Sequence, residues 1–289
     1  MAVLQRIALI QARLRKTEQA IADFVMANPQ LIRQLSSQEL AQQVGVSQAT
    51  VVRFSQKLGY KGYPDFKFAV NDTVLNFPEP KDDKLHGDIA LDDSYSEMAR
   101  KLLAGKIAVL THTLSANDQP LMEQVCRIIL QARRIMLTGK GASFLVAQDF
   151  CLKLRKLGMN ATAESDNHIQ LAELAHFGSK DVLFMLSESG ETPEMVAIAH
   201  YARSHKLKLL SLTGFAPNTI AKLSAVNLKT MANESAVRLS SILSRNAQEL
   251  VIDLLFILLT QSSAKGRKML AASNAAVSRY RDPNSSNRA

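Results

Sequence analysis

From Gln119 to Gln261 the chain repeats one rhythm, an amphipathic helical stretch followed by a short apolar strand. "PLMEQVCRIILQA" leads to "RRIMLTG", "SFLVAQDFCLKLRKLG" to "NATAES", a helix from His168 to Phe177 to "DVLFMLS", and "TPEMVAIAHYARSHK" to "LKLLSLTG". A further strand, "AVNLKT", precedes a last long helix of about Ser241 to Gln261. Strands separated by helices run parallel, and strands without polar alternation are buried on both faces. The pattern predicts an α/β domain over 118–263, a parallel sheet flanked by helices.

The first 77 residues carry only helical patterns. In "TEQAIADFVMANP" the residues Ile21, Phe24 and Val25 share one helical face, Thr17 is a candidate N-cap, and Pro29 ends the run. "FPEPKDDKLHGDIALDDS" then breaks the pattern with two prolines, a glycine and many acids. Residues 78–117 therefore read as a linker followed by a connecting helix, "YSEMARKLLAGKIAVLTHTL", which either joins the domains or helps a dimer form. Beyond 263 the chain starts helical and ends in a basic tail, 264–289, partly disordered.

Charge separates these regions. Met1 to Phe77 holds 9 basic and 5 acidic residues, and Ala264 to Ala289 holds 6 and 1, within a net charge of +9. Basic ends around a neutral middle fit an anionic polymer as partner, or serve solubility alone. Cys126 and Cys151 both lie in apolar helical patterns, which fits buried thiols in a reducing compartment. No metal-ligand spacing appears, no cofactor is implied, and "LVIDLLFILL" is too short to span a bilayer. The expectation is a cytoplasmic protein with no membrane contact.

"SSQELAQQVGVSQATVVRFSQKLGYKGYPDF" predicts two short helices joined by a three-residue turn. Ser37 and Ser47 are the candidate caps, and Gly45 supplies the positive φ of the turn. Leu40, Ala41 and Val44 face inward from the first helix, and Val51, Phe54 and Leu58 from the second. This is the layout of a helix-turn-helix, whose second helix enters the major groove. Its outer face carries Gln48, Ala49, Thr50, Arg53 and Lys57. Gln pairs with adenine, Arg with guanine, and Ser and Thr with phosphates. An ordinary helical hairpin with a polar face is the alternative.

In the second half, two loops leave the carboxyl ends of strands. "LTGKGAS" places Gly139, Gly141 and Ser143 before a helix, and "LSESGET" places Ser187, Ser189, Gly190 and Thr192 before the next. Helix N-termini at strand ends offer N–H groups and a positive dipole end to phosphate, and the hydroxyls add donors. Neither loop is a Walker motif, a dinucleotide fingerprint or a nucleophile elbow. The competing explanation is that Ser189 and Thr192 merely cap a helix.

"S-x-A-T-V-V-R-F" followed by "LG-x-x-G" resembles the N-terminal domain of the RpiR family of bacterial transcriptional regulators. "S-x-S-G-x-T" and "G-x-G-x-S" resemble the phosphosugar-binding SIS domain that this family carries after its helix-turn-helix. The resemblance covers nearly the whole chain. It implies DNA-facing roles for Ser47, Gln48, Thr50, Arg53 and Lys57. It also implies ligand contacts from Gly141, Ser143, Ser187, Ser189, Gly190 and Thr192. "ESDNHIQ" is similar to the matching stretch of members that respond to N-acetyl amino-sugar 6-phosphates, which brings in His168. Glu234 falls where SIS proteins bring a loop toward the ligand.

The resemblance thus implies a carbohydrate-gene regulator, a repressor in the first instance, that binds operator DNA as a homodimer or homotetramer under phosphosugar control. No catalytic residue is assigned. The alternatives are a phosphosugar isomerase, for which Glu234 and His168 are the only candidate acid–base groups, and a DNA-binding protein whose SIS domain only oligomerises.

Overall fold

The computed structural model describes residues 3–11, 14–75, 84–232 and 239–281. The chain divides into two compact units. One comprises Met1–Ala116 with Phe215–Pro217 and Met231–Ser241; the other comprises Asn117–Gly214, Asn218–Thr230 and Ile242–Ala289.

The first unit begins with six helices, α1 (Val3–Ile10), α2 (Lys16–Ala27), α3 (Pro29–Ile32), α4 (Ser37–Val44), α5 (Gln48–Lys57) and α6 (Tyr63–Leu75). They close on an apolar core that includes Ile7, Ile21, Val25, Ile32, Leu40, Val51, Phe54 and Phe66, all fully buried. With no tryptophan in the chain, Phe54 and Phe66 are the largest core side chains here, and their rings meet edge to face at 5.8 Å. Two caps differ from the sequence reading. Ser36 caps α4, its hydroxyl accepting from the Glu39 N–H while the Glu39 carboxylate accepts from the Ser36 N–H. Glu39 sits three residues after Ser36, so the reciprocal box can form only from Ser36 and leaves Ser37 inside the helix. Likewise α2 starts one residue before Thr17, with Arg15 at the cap position and Glu18 accepting from the Arg15 N–H.

The acidic stretch contains a small antiparallel hairpin, β1 (Lys84–His86) and β2 (Ile89–Ala90), turning at Gly87 with φ 56°. It is followed by α7 (Tyr95–Ala116), a helix of 22 residues. The buried hydroxyl of Thr113, on its last turns, accepts from the Met231 N–H at 3.0 Å.

The second unit has the expected α/β architecture but not the bounds 118–263, since 231–241 falls in the first unit and the residues after 263 join the second. Its helices are α8 (Gln119–Gln131), α9 (Ala142–Lys156), α10 (Asn167–Leu174), α11 (Pro193–Ser204), α12 (Thr219–Leu223), α13 (Ile242–Ser262) and α14 (Ala264–Arg281). Its strands are β3 (Ile135–Gly139), β4 (Ala161–Ala163), β5 (Val182–Ser187), β6 (Lys208–Gly214) and β7 (Val226–Thr230). The strands form one five-stranded sheet in the order β4-β3-β5-β6-β7, every pairing parallel. Successive side chains of β5 alternate between two cores. Val182, Phe184 and Leu186 pack with α8, α9 and α13, while Leu183 and Met185 pack with α10, α11 and α12. This is the physical reason that β5 is apolar throughout. Among the described residues, no helix is long and apolar enough to cross a membrane.

The strand order has a functional consequence. The chain runs outward from β3 to β4, then crosses back to β5 and continues in the other direction. The switch point lies between β3 and β5, and crevices at the carboxyl ends of such strands are where open parallel sheets bind ligands. Both loops singled out in the sequence leave the sheet there.

Candidate functional site

In the helix-turn-helix, α4 ends at Gly45 with φ 74° and ψ 35°, and the Val46 N–H returns to the Ala41 carbonyl at 2.9 Å. Ser47 then caps α5, accepting from the Thr50 N–H at 3.3 Å and lying 2.8 Å from the Thr50 hydroxyl. Gln48, Arg53 and Lys57 are exposed and Thr50 is half-buried, so the five residues of the expected DNA-facing set share the outer side of α5. Two of them are engaged within the protein. Gln48 donates to the Ser37 hydroxyl at 2.8 Å, and Lys57 pairs with Glu18 at 2.7 Å. Lys57 holds the Glu18 carboxyl below its ordinary value. Such a surface pair is worth only about 0–1 kcal/mol, so phosphate can displace it.

The second loop opens at the end of β5. Ser187 is buried and its hydroxyl accepts from the Gly190 N–H at 3.2 Å. Gly190 has φ 63°, and a Cβ there would lie 2.0 Å from Asn218 Oδ1. Asn218 is fixed in turn, donating to the Thr213 hydroxyl at 3.0 Å and accepting from the Ala221 N–H at 2.8 Å as the cap of α12. The two glutamates of "SESGET" anchor the loop. Glu188 accepts from the Thr230 hydroxyl at 2.8 Å, and Glu191 from the Thr219 N–H at 2.6 Å. Thr192 occupies the cap position of α11, yet its hydroxyl makes no cap hydrogen bond and lies 3.5 Å from the Ser189 hydroxyl. For Thr192, helix capping by the side chain is therefore excluded. The Ser189 hydroxyl also accepts from the Glu191 N–H at 3.2 Å and remains exposed.

The first loop turns at Gly139 and Gly141. A Cβ on Gly139 would come 2.9 Å from the Phe144 nitrogen and 3.0 Å from the Leu186 carbonyl oxygen, so the loop folds tightly over the strand ends. Gly141 precedes α9 and provides no side-chain cap. Ser143, in the first turn of α9, accepts from Gln248 Nε2 of α13 at 3.1 Å. The loop after β4 lies alongside. Lys140 donates to the Ser165 carbonyl, and Gln170 donates to the Thr138 hydroxyl at 2.7 Å and the Glu164 carbonyl at 2.8 Å. Asp166 caps α10, accepting from the N–H groups of His168 and Ile169. The two N–H bonds, that of Ile169 foremost, hold the Asp166 carboxyl below its ordinary value.

His168 is exposed in the first turn of α10, and among the described residues its ring bonds to none of the candidate hydroxyls. Glu234 lies outside the described residues. Among the described residues no group of three or more His, Cys, Asp and Glu is gathered as for a metal ion. Sequence reasoning passed over Gln248, Asn218 and Thr213. For Gln248 a signal was present, because with Ser244 one turn earlier it puts a polar side chain on the buried stripe of Ala247, Val251, Ile252, Leu255 and Leu259.

Taken together, a helix-turn-helix with a polar recognition helix and a parallel-sheet domain with paired hydroxyl-rich loops define a DNA-binding regulator with a sugar-isomerase-type domain. The family model described as "Helix-turn-helix domain, rpiR family" matches residues 1–76, and that of the SIS domain matches residues 128–258. An uncharacterised HTH-type transcriptional regulator of Escherichia coli K12, YfhH, is 38% identical over 248 residues, 86% of this chain and 88% of that protein. The chain belongs to the RpiR family of transcriptional regulators.

Among solved structures, NanR of Vibrio vulnificus complexed with ManNAc-6P is similar with a TM-score of 0.61 at 22% identity, covering 95% of this chain and 97% of that one. The sugar isomerase domain of an RpiR transcription factor from Sphaerobacter thermophilus gives a TM-score of 0.55 at 18% identity, covering 62% of this chain and 98% of that one. At these identities the likeness is one of fold.

Proposed function

We propose that this regulator is a repressor of carbohydrate-metabolism genes whose hold on operator DNA is set by a phosphosugar, an N-acetyl amino-sugar 6-phosphate, bound between its two hydroxyl-rich loops. The observation that carries this reading is the placement of "LTGKGAS" and "LSESGET" on either side of the β3–β5 switch point. Ser187, Ser189, Gly190 and Thr192 receive the phosphate, Gly141 and Ser143 approach it from the facing loop, and His168 belongs to the sugar side. The complex of NanR with ManNAc-6P supports the choice of ligand class. Ser47, Gln48, Thr50, Arg53 and Lys57 meet DNA, and a cytoplasmic homodimer or homotetramer presents them to repeated half-sites about 10 bp or a multiple apart.

The reading is regulatory and not enzymatic. Isomerising a sugar phosphate needs a base beside the carbonyl. Glu188 and Glu191 are both tied to neighbouring segments, and among the described residues no histidine is bonded to Ser187 or Ser189 to make a nucleophile. The sugar phosphate acts by binding one DNA affinity state better than the other, or it shifts nothing.

The test uses an operator selected from a randomised duplex pool. N-acetylmannosamine 6-phosphate, glucosamine 6-phosphate and fructose 6-phosphate are titrated into the complex, followed by gel shift. N-acetylmannosamine 6-phosphate changes operator affinity in the wild-type chain more strongly than the other two, and Ser189→Ala abolishes that response while keeping DNA binding. An unchanged response in the variant, or turnover of fructose 6-phosphate, refutes the reading.

A further inference from the structure

Two buried glutamines flank the first loop, and each leaves the oxygen end of its carboxamide unused. Gln170 is fully buried and spends its N–H groups on Thr138 and Glu164, bracing β3 against the loop after β4. Gln248 is 1% exposed and, among the described residues, donates to the Ser143 hydroxyl alone. In both, Oε1 is buried and accepts no hydrogen bond among the described residues. A buried acceptor without a partner is a costly defect in a folded chain, and in native structures it points to a role.

The two cases differ in what they touch. Gln170 holds backbone and a buried strand threonine, which is a bracing role complete in itself. Gln248 holds a residue that is half-buried in the candidate pocket. It stands on a buried helical stripe shared with Ser244, Ala247, Val251, Ile252 and Leu255, where a methionine or leucine would leave no unpaired amide oxygen. Packing alone therefore gives no reason for an amide at this position.

The hydrogen-bond chemistry gives one. Because Ser143 accepts from Nε2, its own proton is left to donate outward, toward an oxygen in the pocket. That suits phosphate. The remaining Oε1 is a pure acceptor, which a phosphate dianion cannot satisfy but a hydroxyl or amide N–H of a sugar can. If the carboxamide is turned over, its NH2 end becomes the unpaired one, and the far end still requires a partner that the described residues do not supply.

We propose that Gln248 is a specificity-determining residue of this pocket, its Nε2–H orienting Ser143 and its Oε1 accepting an O–H or N–H from the sugar. The assignment rests on the phosphosugar reading above and deepens it: a bare phosphate leaves the buried oxygen unpaired, whereas a sugar phosphate completes it. Sites of this kind reject analogues that lack the matching donor.

The test is calorimetry on the full chain with N-acetylmannosamine 6-phosphate, glucosamine 6-phosphate, fructose 6-phosphate and inorganic phosphate, together with the melting temperature of the free protein. Gln248→Met keeps the length of the side chain and removes the amide. It is expected to weaken binding of the preferred sugar phosphate at least tenfold and inorganic phosphate by a clearly smaller factor, since the phosphate loses only the orientation of Ser143 whereas the sugar also loses its acceptor. The free protein should melt no lower than wild type, because an unpaired buried acceptor has been removed. A merely structural glutamine would instead lower the melting temperature and weaken both probes in parallel, which overturns the proposal. Sugar-phosphate affinity within threefold of wild type also overturns it while leaving the phosphosugar reading intact. Failure of wild type to bind any sugar phosphate overturns that reading first. Gln248→Leu repeats the test should the methionine variant not fold, and failure of both to fold would assign the glutamine to structure and sink the proposal.

Discussion

Gly190→Ala probes how the loop after β5 is held. The residue sits at φ 63°, and its added Cβ would lie 2.0 Å from Asn218 Oδ1, 2.2 Å from Cγ and 2.7 Å from Cβ. No rotation of the Asn218 tip removes a 2.7 Å contact with its own Cβ, so Asn218 must move as a whole. The left-handed conformation costs alanine about 1–2 kcal/mol. Displacing Asn218 forfeits the cap of α12, about 1 kcal/mol, and its hydrogen bond to Thr213, about 1 kcal/mol. The expected destabilisation is about 3–4 kcal/mol. Urea unfolding followed by circular dichroism measures it. The decisive comparison is a double-mutant cycle with Asn218→Gly, which removes the obstructing side chain. Asn218→Gly alone should cost about 1–2 kcal/mol. The double variant should cost about 2–4 kcal/mol, short of the sum of about 4–6, because the collision is gone and only backbone strain and the lost bonds remain. A Gly190→Ala variant within about 0.5 kcal/mol of wild type, or strictly additive effects, would refute the steric argument.

Other consequences can be checked separately. Arg53→Ala on the exposed face of α5 should weaken operator binding in gel shifts and leave sugar-phosphate calorimetry unchanged, with simultaneous loss of both counting against distinct sites. Asp181 is buried and accepts from Arg133, Arg134 and the Gly178 N–H, with Arg133 at 2.7 Å as the leading cause of its strongly depressed pKa. A carboxyl depressed in the folded state contributes stability that is complete above its ordinary value of 3.8 and is lost as pH falls below it. Asp181→Asn should therefore lower the melting temperature at pH 7 and narrow the gap to wild type in acid; a gap independent of pH would contradict this. Burial pushes the Cys126 thiol up to about 11 and raises that of Cys151, so both should resist Ellman's reagent until the protein is unfolded.

Much of this molecule is legible in its sequence because the relevant physics is local. Gly45 supplies a left-handed turn that other residues disfavour, and Ser47 caps whatever helix follows it, so the helix-turn-helix can be read from a few adjacent positions. The same holds for β5, whose unbroken apolar run demands cover on both faces. Local reading falters where signals are short or compete. Ser36 and Ser37 are chemically equivalent, and only Glu39 at the right spacing selects the former. The hairpin of β1 and β2, three and two residues long, is hidden within an acidic, proline-flanked stretch.

The sequence by itself determined the two-part layout, the helix-turn-helix, the parallel α/β class and the two hydroxyl-rich loops, because periodicity, capping and turn chemistry act over a few residues. Only the tertiary structure decided the strand order β4-β3-β5-β6-β7, since a strand's pattern says which faces are buried but not which strand lies beside it. That order sets both loops at one switch point. It also brings Gln248 to Ser143 across 105 residues and Asn218 against Gly190, contacts made by packing between segments whose local patterns are independent.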